Sequence, residues 1–170
     1  MRPTRIRVII MITKIYEARD NSFRSELNPI LIVDNGAVFK ARNHSDRPEL
    51  NPIMIIEDNM IYYARPNSDR PELNPFLIIK DGCIYKARNH SDRPELNPIM
   101  VIEDNKIYMA RPNSNRPELN PILIIEDGSI FKSRYNSNRP ENYPILNIDG
   151  YYDEAMLAAI IWECGLVARY

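Results

Sequence analysis

Five arginines recur at a fixed interval of 23 residues: Arg47, Arg70, Arg93, Arg116 and Arg139, each followed by Pro-Glu. A second row, Arg42, Arg65, Arg88, Arg111 and Arg134, runs in step with it. With Lys40, Lys86 and Lys132, these rows have the chemistry to track phosphates on a nucleic acid or on lipid head groups. The acidic residues argue against that use. Each copy also supplies Glu49, Glu72, Glu95, Glu118 or Glu141, and most add Asp46, Asp69 or Asp92. Over the chain, 22 Lys and Arg face 23 Asp and Glu, so no bulk attraction for polyanions results. The expectation is an ion-pair lattice between successive loops, with nucleic acid and anionic lipid disfavoured as partners.

The other reactive types are sparse. His44 and His90, the only histidines, sit 46 residues apart in identical loops, too far apart for joint metal ligation. His44-Ser45-Asp46 names the members of a hydrolytic triad, but consecutive loop residues do not converge as a triad must. A loop-capping role fits them better. Asp58, Asp81, Asp104 and Asp127 provide one carboxylate per turn, whereas calcium needs six to eight oxygens. Cys83 and Cys164 belong to no CxxC pair, which disfavours zinc and a disulfide framework. No phosphate-cradling glycine loop or nucleophile elbow is present. An enzyme needs one asymmetric constellation, and this chain repeats one pattern, so the expectation is a protein without catalytic activity or cofactor.

What positions these residues is the repeat itself. Arg-Pro-Glu-Leu-Asn-Pro starts at Arg47, Arg70, Arg93 and Arg116, with weaker copies at Arg24 and Arg139. A period of this length means one supersecondary unit stacked on its neighbours. In the unit from Asn28 to Asn51, Ile30-Leu31-Ile32-Val33 precedes Asn35-Gly36, and Val38-Phe39-Lys40-Ala41-Arg42 follows. Equivalent pairs are Asp58-Asn59, Asp81-Gly82, Asp104-Asn105 and Asp127-Gly128. Asn, Asp and Gly tolerate the positive φ that a type I′ turn needs at both central residues, so each unit reads as a β-hairpin. Counting outward pairs Asp34 with Ala37, Val33 with Val38, Ile32 with Phe39 and Leu31 with Lys40. Ile30, Ile32, Phe39 and Ala41 then share an apolar face, the expected core. Leu27, Leu50, Leu73, Leu96 and Leu119 are expected to seal its edge, and Asp46 to Leu50 to form one helical turn.

The second face alternates over 46 residues. Lys40, Tyr63, Lys86, Met109 and Lys132 stand across from Leu31, Met54, Leu77, Met100 and Leu123. This is either the trace of a recent duplication or a sign that even hairpins cover their second face. In the latter case Tyr63, Met109, Met54 and Met100, with Lys40, Lys86 and Lys132, form a candidate interaction surface. Cys83 stands where other copies carry Ala37, Met60, Lys106 and Ser129, a variety that predicts a half-exposed position.

The ends depart from the repeat, as caps do. Ile15-Tyr16-Glu17-Ala18-Arg19 aligns with Val38 to Arg42, and Val8-Ile9-Ile10 with Leu31 to Val33. Met11-Ile12-Thr13-Lys14 stands where the polar turn should be. Downstream, Asp153 is a good N-cap and Gly165 a good stop for a helix over 153–164. Its residues Met156, Leu157, Ile160, Ile161 and Cys164 make a broad apolar stripe. Trp162 should pack beneath this helix. Leu166 to Tyr170 echoes Phe131 to Tyr135, which predicts a helix inserted between the strands of a last hairpin.

The array resembles MORN proteins in its period and in having one hairpin per unit. It departs from their repeated Gly and Trp-type signature, so the resemblance carries no function or residue across.

The reading is one all-β repeat domain over 1–170. An atypical hairpin spans 1–23, five regular repeats span 24–138, and a partial repeat with the inserted helix spans 139–170. The hairpins form a continuous antiparallel meander with one C-terminal capping helix. An elongated sheet is preferred to a parallel solenoid, which would stack like charges, and a curled barrel or sandwich is the third closure. No stretch approaches the ~18 apolar residues of a membrane span, and the chain reads as a reduced cytoplasmic protein. The functional expectation is a scaffold that self-associates or binds another protein. The alternative is a binding protein for a small lipid or carbohydrate, using Tyr62, Tyr85 and Tyr108 or the arginine rows.

Overall fold

A computed structural model describes residues 11–167. Its strands are β1 (Ile12–Glu17), β2 (Leu31–Asp34), β3 (Ala37–Lys40), β4 (Met54–Glu57), β5 (Met60–Tyr63), β6 (Leu77–Lys80), β7 (Cys83–Lys86), β8 (Met100–Glu103), β9 (Lys106–Met109), β10 (Leu123–Glu126), β11 (Ser129–Lys132) and β12 (Leu146–Asp149). One helix, α1 (Glu154–Glu163), follows. The hairpin register is the one the turns dictate: Leu31 pairs with Lys40, Ile32 with Phe39, Val33 with Val38 and Asp34 with Ala37. Both central turn residues have positive φ, as at Asn35 (48°) and Gly36 (84°), or Asp58 (50°) and Asn59 (61°). The meander does not stay open. Each strand pairs with the next, and β12 returns to β1, closing an antiparallel barrel of 12 strands.

Closure uses the N-terminal strand as the missing half of a hairpin. Lys14 pairs with Asp149, Ile15 with Ile148, Tyr16 with Asn147 and Glu17 with Leu146. That register repeats the Leu123–Lys132 pairing of β10 and β11. Met11 to Lys14 is therefore no turn substitute, since Ile12 to Lys14 lie within β1. The second strand of the last hairpin comes from β1 and not from Leu166 onward, and Leu166 and Val167 carry no strand. The expected strand at Val8 to Ile10 and the last residues of Leu166 to Tyr170 fall outside the described residues. Thr13 is buried, and its hydroxyl donates to the Tyr151 carbonyl, tying the closing strand to the chain beyond β12.

The core lies on the face opposite to the expected one. Leu31, Val33 and Val38 and their equivalents join the buried helix residues in one cluster drawn from every strand. Ile32, Ile55, Ile78, Val101 and Ile124 are also buried but point outward, on alternate positions. What covers them is the long loops, which fold back along the outer wall. Phe23 of the first loop sets its ring edge-on to the outward Phe131, with centroids 6.3 Å apart, and to Tyr143 at 5.4 Å. The outward Asn147 donates through Nδ2 to the Phe23 carbonyl and to Ser25 Oγ. Outward Lys14 meets Asp46 of the second loop at 3.6 Å. Both sheet faces are apolar because each has its own cover.

The size of the barrel explains the helix. Leu31 lies level with Lys40, and Val38 with Met54, so each hairpin steps about two residues along the wall and six give a stagger of about twelve. Strands ~4.8 Å apart with that tilt enclose a backbone radius of roughly 11 Å. Inward side chains fill barrels of about eight strands, but this one leaves room for a further element. An α-helix with its side chains is about 10–12 Å across, which fits. Accordingly every residue from Ala155 to Trp162 is buried. The helix is a plug and not an end cap, so the one-sided stripe read from its sequence understates it: Ala155, Ala158 and Ala159 are buried as well. Asp153 caps it as expected, its side chain accepting from the Met156 N–H at 2.9 Å, and Gly165 follows with φ of 63°.

Candidate functional site at the loop end

The loops begin as short continuations of the wall. Ala41 bridges to Pro48, and the same bridge recurs at Ala64–Pro71, Ala87–Pro94, Ala110–Pro117 and Ser133–Pro140. Asp46 to Leu50 therefore bends around the Pro48 bridge and forms no helical turn. Arg42 donates through Nε to the Pro48 carbonyl at 3.0 Å, and Arg65, Arg88, Arg111 and Arg134 do the same in their loops. These arginines are loop clasps. Lys14 pairs with Asp46 and Arg19 with Glu26, the latter at 4.0 Å, and the Arg-Pro-Glu segments form no repeating row of ion pairs among the described residues. His44 and His90 occupy a left-handed position, φ 54° and 55°, that Asn67 and Asn113 fill in alternate loops. Asn and His tolerate that backbone better than most residues, which accounts for them without chemistry. Among the described residues no group of three His, Cys, Asp or Glu is placed to hold a metal.

The predicted interaction set divides. Met54 and Met100 face the barrel interior and are 0% and 1% exposed, so packing against the core removes them from any surface. The others stand on the inward positions nearest the loops and, with Glu17, make a ring at the mouth: Glu17, Lys40, Tyr63, Lys86, Met109 and Lys132. Tyr63 is 43% exposed, stacks on Phe76 with centroids 3.9 Å apart, and accepts a 3.0 Å hydrogen bond from Trp162 Nε1. Trp162 also lies against Phe76, at 5.5 Å, so it packs within the protein as expected. Met109 is half-buried against the core, Lys86 is half-buried, and Lys40 and Lys132 are exposed.

Tyr62, Tyr85 and Tyr108 are outward and half-buried, away from the barrel interior. Burial raises the Tyr62 and Tyr85 pKa values, with Glu57, Asp92 and Asp58 adding to the effect on Tyr62. Cys83 is buried, unlike its half-buried equivalents, and burial pushes its thiol up. These shifts favour the neutral, unreactive forms of all three groups.

Two features at this end were not foreseen. Leu27, Leu50, Leu73, Leu96 and Leu119, expected to seal the core, are each 82% exposed. Closure relates the repeats by rotation, so these leucines occupy equivalent places around the loop end, interrupted where Asn142 takes the sixth. Their place in a charged Pro-Glu-Leu-Asn-Pro segment, outside the strand alternation, was the available signal. The second is a cleft of about 810 Å³ at the mouth, bordered by Lys40, Lys132, Glu17, Ile30 and Leu146. It exists because α1 leans on β4, β5 and β6, leaving room against the opposite wall.

Comparison with protein-family models, with curated proteins and with solved structures finds no match. No helix among the described residues is long and apolar enough to cross a membrane.

Proposed function

We propose that this protein is a non-catalytic scaffold of the reducing cytoplasm that associates with further copies of itself through the loop end. The observation that carries this reading is the row of five leucines, each 82% exposed. Each is flanked by both charges, as in Arg47-Pro48-Glu49-Leu50-Asn51. A surface bearing paired opposite charges around an apolar anchor is complementary to itself across a two-fold axis. Burial of roughly 100 Å² of apolar surface per leucine removes roughly 1,000 Å² from water over two copies, near the lower limit for a stable interface. Exposed Tyr63, Lys40 and Lys132 share the same end.

Light scattering after size exclusion, over a range of concentrations, tests it. Self-association is expected, weakened at least about a hundredfold in Leu50→Ser/Leu96→Ser, since each fully buried leucine contributes about 1.5–3 kcal/mol. A wild type that stays monomeric at every concentration refutes the reading.

A further inference from the structure

We propose that the cleft at the loop end binds short apolar peptides with both termini free. The inference goes beyond self-association and does not depend on it.

The argument starts from the tilt of the plug. With α1 held against β4–β6 by the Trp162, Tyr63 and Phe76 cluster, the mouth is open on the side of β12, β1 and β2. The floor there is aliphatic: Ile30, Leu31, Ile145 and Leu146. Its volume, about 810 Å³, lies in the range of small-molecule sites. Across the ring Tyr63 and Met109 flank a single charge, Lys86, whereas on the open side the ring reads Lys132, Glu17, Lys40.

The three charges alternate, and none of them is within ion-pair distance of a partner among the described residues. Neighbouring ring positions are two strands apart, about 9.6 Å across the strands and about 11 Å once the two-residue step per hairpin is included. Lysine and glutamate side chains can bridge that distance but form no ion pair with one another here, and an extended tripeptide spans a comparable length of about 10–11 Å. A peptide ammonium at Glu17 and a peptide carboxylate at Lys40 or Lys132 would pair these charges, with apolar side chains on the aliphatic floor. Arg19 and Arg42 border the cleft but are engaged through Nε with the Ser25 and Pro48 carbonyls. With Asp20, Glu141 and Glu163 added to Glu17, the carboxylates of the lining equal its lysines and arginines in number, so the wall as a whole favours neither a pure anion nor a pure cation. A concave site with fixed charges of both signs selects a zwitterion.

Calorimetric titration with three forms of trileucine tests this: free at both ends, N-acetylated, and C-amidated. The free peptide is expected to bind at least about tenfold more tightly than either blocked form. Lys40→Ala/Lys132→Ala should weaken the free and acetylated peptides about tenfold or more and leave the amide unchanged. Glu17→Gln should weaken the free peptide and the amide and leave the acetylated peptide unchanged. All three side chains are at the mouth, and unchanged thermal melting of the variants confirms intact folding. Equal binding of the three forms, or no binding of any, overturns the proposal. Titrating the Leu50→Ser/Leu96→Ser protein separates this result from the outcome for self-association.

Discussion

If α1 is the core of the barrel, cutting away its largest side chain should cost as much as a major core deletion. Trp162 is 9% exposed, donates to Tyr63 Oη at 3.0 Å and lies 5.5 Å from the Phe76 ring. Trp→Ala at a site of this kind costs about 3–5 kcal/mol. That is a large share of the ~5–15 kcal/mol that holds a typical domain folded. Trp162→Phe and Tyr63→Phe separate packing from polarity. Each removes one partner of a single hydrogen bond worth about 1 kcal/mol, so the double-mutant cycle should return a coupling of about that size. Stability is read from urea denaturation followed by far-ultraviolet circular dichroism, because Trp162 is the only tryptophan and its loss removes the fluorescence signal. In the wild type the same property is useful, since the indole should be poorly accessible to a neutral quencher until the barrel unfolds. A Trp162→Ala cost below about 1 kcal/mol would refute the reasoning. It would mean that the strands enclose a stable interior without the helix, which the roughly 11 Å radius does not allow with aliphatic side chains alone.

Two smaller perturbations test the wall. Gly36 has φ of 84°, and a Cβ there would lie 2.7 Å from the Ile56 carbonyl oxygen, so Gly36→Ala should lower stability by about 2–3 kcal/mol in urea denaturation. A neutral result would show that the turn relaxes away from β4. Ser133 stands where other repeats carry Ala41, Ala64, Ala87 and Ala110, and its Oγ is buried with no hydrogen-bond partner among the described residues. Ser133→Ala should therefore raise stability by about 1 kcal/mol, read as a higher urea midpoint, whereas a loss would indicate a bond to the hydroxyl in solution.

The hairpins were legible to the residue because turn chemistry is local. Asn35-Gly36 and Asp58-Asn59 demand positive φ, and once the turn is fixed each cross-strand partner follows by counting. The inward face was not legible from the strands, because the usual contrast between a greasy and a wet side is missing. Ile32 and Leu31 are both buried, one under a returning loop and the other against α1. The more aromatic and more uniform face, with Phe39, Tyr62 and Phe131, read as the core, yet aromatics at a loop-covered outer wall satisfy the same hydrophobic demand. The evidence that decides between the faces lies in Ala155, Ala158 and Ala159. These small residues on the apparent back of α1 are what a helix needs where walls approach on all sides. A helix apolar all round has no wet face to offer, and a 12-strand barrel is an enclosure wide enough to hold it. Ring closure was hidden for a related reason. Ile12 to Glu17 carries no turn of its own, and its hairpin partner is Leu146 to Asp149 at the other end of the chain. The composite hairpin β12–β1 thus converts a row of hairpins with two exposed edges into a wall with none, which is the physical reason the sheet closes.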